Sequence, residues 1–149
     1  KKIMNEILVA SHSVLRWIAL ILIMYAIINA LMSKSKGEYL KKDKMINLFA
    51  MVFLHIQLVL GLILYFISPK VVFVDGWMKE AQSRFFGMEH LLMMIIAIAL
   101  VTIGRRKAEN ESDTRKKHGK IVLWYTIGLI IILAAIPWPF RNLGVTSWF

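Results

Sequence analysis

Three histidines, His12, His55 and His90, each lie within a long apolar stretch, and Arg16 follows His12 by four residues. Ionisable side chains at membrane depth are costly to keep there, so they mark functional positions by default. Imidazole is a common axial ligand of haem iron, and the first chemistry these residues suggest is haem ligation. The fourth histidine, His118, sits among Lys116, Lys117 and Lys120 and reads as a surface residue.

The elements that must position them are four stretches, Ile7–Met32, Met45–Ser68, Phe85–Gly104 and Ile121–Phe140. Each meets the requirement of roughly 20 apolar residues for a bilayer core about 30 Å thick. The fourth is the weakest, because Pro137 and Pro139 interrupt its end. The connections between the first and second stretches and between the third and fourth are short and charged, which favours antiparallel neighbours. The expected fold is therefore all-α: an up-and-down bundle of four transmembrane helices forming a single membrane domain over residues 1–149. The first stretch lacks a small-residue cleavage site and reads as a retained span.

The net charge of +10 could suggest nucleic acid, but its distribution does not. Twelve of the nineteen Lys and Arg residues fall in or beside the two charged connections, on one side of the membrane. That asymmetry is the positive-inside pattern and predicts both termini outside the cytoplasm. The same lysines would attract anionic lipid without a specific partner. Cysteine is absent, which removes c-type haem attachment, thiolate iron–sulfur ligation and dithiol chemistry. Residues 69–84 are unusually apolar for a connection and are expected to lie in the interface or fold back on the bundle.

Helical spacing sorts the candidates by face. His12, Arg16, Ala19, Ile23, Ala26 and Ala30 share one stripe, and Gly87, His90, Met94, Ala97, Val101 and Gly104 share another. Small residues mark where membrane helices approach each other, so both stripes should face the bundle interior. At about 1.5 Å per residue, His12 and His90 lie roughly 7 to 9 Å inside the same end of the bundle. His55 lies about 20 Å from that end. It also falls on the face opposite Ala50, Gln57 and Gly61, and spacing alone leaves open which of the two faces turns inward.

Arg16 has two readings: its guanidinium snorkels to the surface, or it pairs with a haem propionate, alone or together with Arg84 or Arg141. Glu89 and Gln57 are polar groups at depth that bridge helices by hydrogen bonds; alternatively Glu89 fixes the tautomer of a histidine or relays a proton. The nine methionines, Met93 and Met94 among them, read as packing.

With these residues in place, the segments HSVLRW (His12–Trp17), HIQLVLGLILYFISP (His55–Pro69), MEHLLMM (Met88–Met94) and IPWPF (Ile136–Phe140) resemble a family of small bacterial four-helix membrane proteins described as cytochrome b-like. The resemblance implies haem b, an inner-membrane location and electron transfer, and makes His12, His55 and His90 the ligand candidates. On that reading the chain would pass electrons to or from a quinone or a membrane redox partner. No helix carries two intramembrane histidines, which favours one haem per chain or a site shared between subunits of a homo-oligomer. The chain thus reads as an electron-transfer protein or subunit rather than an independent enzyme. Two other readings stand beside it: a cofactor-free proton or ion pathway through Glu89, His55, Gln57 and Arg16, and a structural or assembly subunit of a larger membrane complex.

Overall fold

The computed structural model describes residues 2–145; residues 1 and 146–149 lie outside that description, as does the side chain of Lys2. Its helices are α1 (Lys2–Lys34), α2 (Lys41–Ile67), α3 (Ala81–Glu109) and α4 (Thr114–Ala135), and each is long and apolar enough to span a membrane. There are no strands among the described residues. Each helix packs on its neighbours in sequence and α4 closes against α1, which gives an antiparallel ring of four. The seam between α2 and α3 is the thinnest of the four.

The distribution of apolar side chains is that of a membrane protein. Ile21, Ile28, Val59, Ile63, Leu92, Ile95, Leu123 and Ile130 point outward, while small residues fill the centre. Ala19, Ala26 and Ala30 of α1, Ala50 of α2, and Ala97, Val101 and Ala108 of α3 are buried. Both small-residue stripes read from the sequence thus face inward. Without a solvent-driven collapse inside lipid, close backbone approach of this kind is what holds such helices together.

Helix ends differ from the apolar stretches for local reasons. α4 starts at Thr114 because Asp113 caps it, its side chain accepting from the Lys116 backbone N–H at 2.9 Å. It ends at Ala135, before the Phe140 limit of the stretch. Ile136 turns extended ahead of Pro137, which cannot continue the helical ladder. Residues 69–80 fold back onto the bundle: Phe73 packs edge-on to Trp77 at 4.9 Å, and both rings cover Gly87.

The end that carries the two basic connections is tied by buried polar groups. Asp43 accepts from Asn29 Nδ2 at 2.6 Å, Ser33 Oγ at 3.3 Å and its own N-cap amide, Leu40 N, at 2.8 Å. Tyr39 donates to Glu109 Oε1 at 2.8 Å and accepts from Asn47 Nδ2 at 3.2 Å, while Tyr125 donates to the Asn47 carbonyl at 2.7 Å. Burial, then the bond to Glu109, pushes the Tyr39 phenol up, which keeps it a neutral donor. His118 belongs to this cluster. It is 0% exposed and donates from Nε2 to the Glu38 carbonyl at 2.8 Å, which corrects its reading as a surface residue. The connection between α1 and α2 folds over it, with the Tyr39 ring 5.1 Å away.

Asp43→Ala removes one acceptor from three donors at once and should destabilise the bundle by about 2–4 kcal/mol. Asp43→Asn, which keeps an oxygen, should cost less; unfolding midpoints in mixed detergent micelles measure both.

Candidate functional site

At the opposite end, all four helices surround one cavity of about 390 Å³. His12 and Arg16 reach it from α1, Gln57 and Gly61 from α2, and His90 and Met94 from α3. Ile132 and Ile136 close the α4 side, and Lys70, Gly144 and Val145 line it from the connections. The volume falls in the range of roughly 300–1,000 Å³ of cofactor and ligand sites. The lining is largely apolar, with two cations, two histidines and no carboxylate among the described residues.

His90 is placed by a local irregularity in α3. Residues Phe85–Glu89 form a π-helical turn, and the His90 backbone N–H bonds to the Phe85 carbonyl, five residues back. Turns of this kind leave carbonyls without their usual partner and recur at functional sites. Here Tyr65 of α2 donates its hydroxyl to the Gly87 carbonyl at 2.8 Å, satisfying a backbone group that lipid could not. The imidazole is then oriented from α4: Nδ1 donates to the Ala135 carbonyl at 2.7 Å. Because a carbonyl only accepts, that bond puts the proton on Nδ1 and leaves the lone pair of the neutral ring on Nε2. Phe85 packs on the same ring at 5.7 Å.

His12 is held differently. Its Cε1 packs over Gly61, where an added Cβ would approach to 3.4 Å, and Gln57 Nε2 donates to the His12 carbonyl at 2.9 Å. Its Nδ1 is buried with no hydrogen-bond partner among the described residues. Such a nitrogen is costly unless a ligand completes the site. Arg16 lies one turn further along α1, with its guanidinium 5.6 Å from the Trp17 ring. Lys70 donates to the Gly144 carbonyl at 3.1 Å, and burial pushes its ammonium below the usual range.

The cavity therefore brings together His12, His90, Arg16 and Gln57, and leaves His55, Glu89, Arg84 and Arg141 outside. Ala50, Gln57 and Gly61 form the inward face of α2, so His55 lies exposed on the outer face. Glu89 is paired with Arg84 at 2.7 Å on the same helix. Arg141 donates to the Ala134 and Ile136 carbonyls and covers the Phe85 ring, which engages it with the end of α4. Lys70 was missed in the sequence because it follows Pro69 in a connection, with no helical face to assign it to. Its place at the mouth depends on residues 142–145 returning to the α2 end, which no local pattern signals.

Among the described residues no group of three or more His, Cys, Asp or Glu could hold a metal ion. Two imidazoles line one cavity, and a pair of imidazoles is a donor set that proteins use on iron whose remaining ligands come from a macrocycle. The fixed tautomer of His90, which leaves Nε2 as the available lone pair, and the cationic, carboxylate-free lining are compatible with haem b. No family model matches this chain, and no significant match was found among curated proteins or solved structures.

Proposed function

We propose that this chain is an inner-membrane b-type haem protein of a bacterium, in which His12 and His90 are the axial ligands. The observation that carries the reading is the convergence of these two imidazoles, from α1 and α3, on one cavity closed by all four helices. Bound there, haem b would supply a reversible one-electron iron couple for exchange with a quinone or a membrane redox protein. The Ala135 carbonyl holds His90 in one tautomer. Arg16 and Lys70 offer charge to carboxylates of the cofactor, Arg16 with a planar fork that matches them. Leu54, Leu58, Leu91 and Ile98 keep water from the deep part of the cavity. In this reading the basic end, with Lys41 and Arg115, faces the cytoplasm and the cavity lies toward the outer side.

A continuous proton pathway is less well supported. The polar cavity residues and the Asp43 cluster are separated by a buried apolar layer that includes Ile23, Ala26, Ala50, Leu54, Ile98 and Val101. That layer would have to open for a proton to pass between them.

An absorption spectrum of protein purified from haem-replete cells tests the proposal. Reduced-minus-oxidised bands of haem b are expected, and a colourless, iron-free preparation would overturn it. Arg16→Leu should keep both imidazole ligands but lower the midpoint potential by tens of millivolts, since a nearby cation favours the reduced form. A tenfold change in the balance of the two forms corresponds to about 59 mV for one electron. Potentiometric titration reads the shift, and an unchanged potential would leave Arg16 a surface-seeking side chain.

A further inference from the structure

His55 lies about 20 Å from either end of α2 by helical rise, on the outer face at the thin α2–α3 seam. Its Nδ1 donates to the Met51 carbonyl at 2.8 Å, which leaves the neutral ring with a lone pair on Nε2. Next to it, Thr102 Oγ1 of α3 stands 3.5 Å from that Nε2. The Thr102 hydroxyl already donates to the Ile98 carbonyl at 2.7 Å, so the shorter bond takes its proton and its lone pairs remain. Two acceptor atoms therefore sit side by side at mid-membrane depth with only one long bond between them, whose hydroxyl proton is shared with the Ile98 carbonyl. Around them the surface is hydrocarbon: Val52, Ile56 and Val59 of α2 and Ile95 and Ile103 of α3 are exposed.

We propose that His55 and Thr102 form a lipid-facing docking site for a hydroxyl of a reduced, lipid-dissolved quinone. The pair has room for a second, stronger donor, and the hydroxyl of a quinol donates where the carbonyl of a quinone can only accept. Headgroup hydroxyls of ordinary lipids stay at the interface, whereas a quinol carries its hydroxyls on an apolar ring that enters the hydrocarbon. A second copy of this chain related by a twofold through the patch would set acceptors against acceptors, because such an interface repeats the same surface on both sides. The site also adjoins the cavity: Leu54, the chain neighbour of His55, and Ile98, whose carbonyl holds Thr102, both line it. The inference builds on the electron-transfer reading by giving its lipid-soluble partner a place, but the binding itself requires no haem.

The test is nitrogen NMR of the full chain labelled with ¹⁵N-histidine in phosphatidylcholine nanodiscs, the His55 signal being the one lost in His55→Gln. A short-tailed benzoquinol, kept reduced, should move the Nε2 resonance in the direction of an accepted hydrogen bond, and the matching quinone should leave it in place. Thr102→Val should weaken the quinol response about fivefold, the scale of one neutral hydrogen bond. No movement at saturating quinol would overturn the proposal. So would an equal response to the quinone, or to dodecanol at the same mole fraction in the membrane. A quinol-specific shift in a protein that proves to lack haem would keep this site and remove only the haem reading.

Discussion

His12→Ala and His90→Ala are each expected to abolish the low-spin haem spectrum, because either change removes one of the two imidazoles that the cavity supplies. Loss of His90 should be the more damaging. It also strips the Ala135 carbonyl of its donor at 2.7 Å and loosens the tie between α3 and α4. Haem retention after detergent extraction should fall roughly tenfold or more, since even changes to groups that only orient a ligand cost 10–100-fold. Exogenous imidazole should restore the low-spin bands in His12→Ala, where the fold is less disturbed. His118→Ala is the contrasting case. His118 is fully buried at the other end of the bundle, so that variant should lose thermal stability while its haem bands keep their positions. A His12→Ala protein with an unchanged spectrum would exclude His12 as a ligand.

Gly104→Leu is expected to produce the largest loss of stability, at least about 3 kcal/mol, the upper range for overpacking a close-fitting interior. The α3–α4 pair approaches most closely there: a Cβ on Gly104 would overlap Trp124 Cβ and stand 2.6 Å from Trp124 Cγ. Gly128 makes the reciprocal approach from α4, where an added Cβ would lie 2.6 Å from Val101 Cγ2. The strain cannot be relieved by a flexible side-chain end, so the helices must separate. Because His90 is oriented by a carbonyl of α4, haem retention should fall with stability. Gly119→Ala, on α4, is the control. Its new methyl would come no nearer than 3.7 Å to Lys34 Nζ, and replacing a helical glycine by alanine there should be neutral or stabilising by up to about 1 kcal/mol. Thermal unfolding in one detergent compares all three proteins.

The architecture was readable from the sequence because each of its determinants is local and periodic. Apolar runs of sufficient length set the four helices, and small residues at three- and four-residue spacing marked the faces of α1 and α3 that are buried. The shared depth of His12 and His90 followed from helical rise alone, and both line the cavity. Rotation of α2 was not readable, because Ala50, Gln57 and Gly61 compete with His55 and only packing against α1 decides between them. The π turn before His90 has no signature in residue type, and its carbonyl is satisfied by Tyr65, 22 residues away in the chain. His118 read as exposed because its sequence neighbours are lysines. Its burial comes from Glu38 and Tyr39, which the connection between α1 and α2 folds over it. Asp43 gives no local signal for the same reason: its donors Asn29 and Ser33 sit on another helix.

The claim that His12 and His90 jointly bind one iron is tested most directly by electron–nuclear spectroscopy of oxidised protein in which only histidine carries ¹⁵N. Two strongly coupled imidazole nitrogens per iron, and one iron per chain, are expected, with one coupling lost in His12→Ala and one in His90→Ala. A signal with a single coupled imidazole would contradict the account. Two couplings that persist in both variants would contradict it equally.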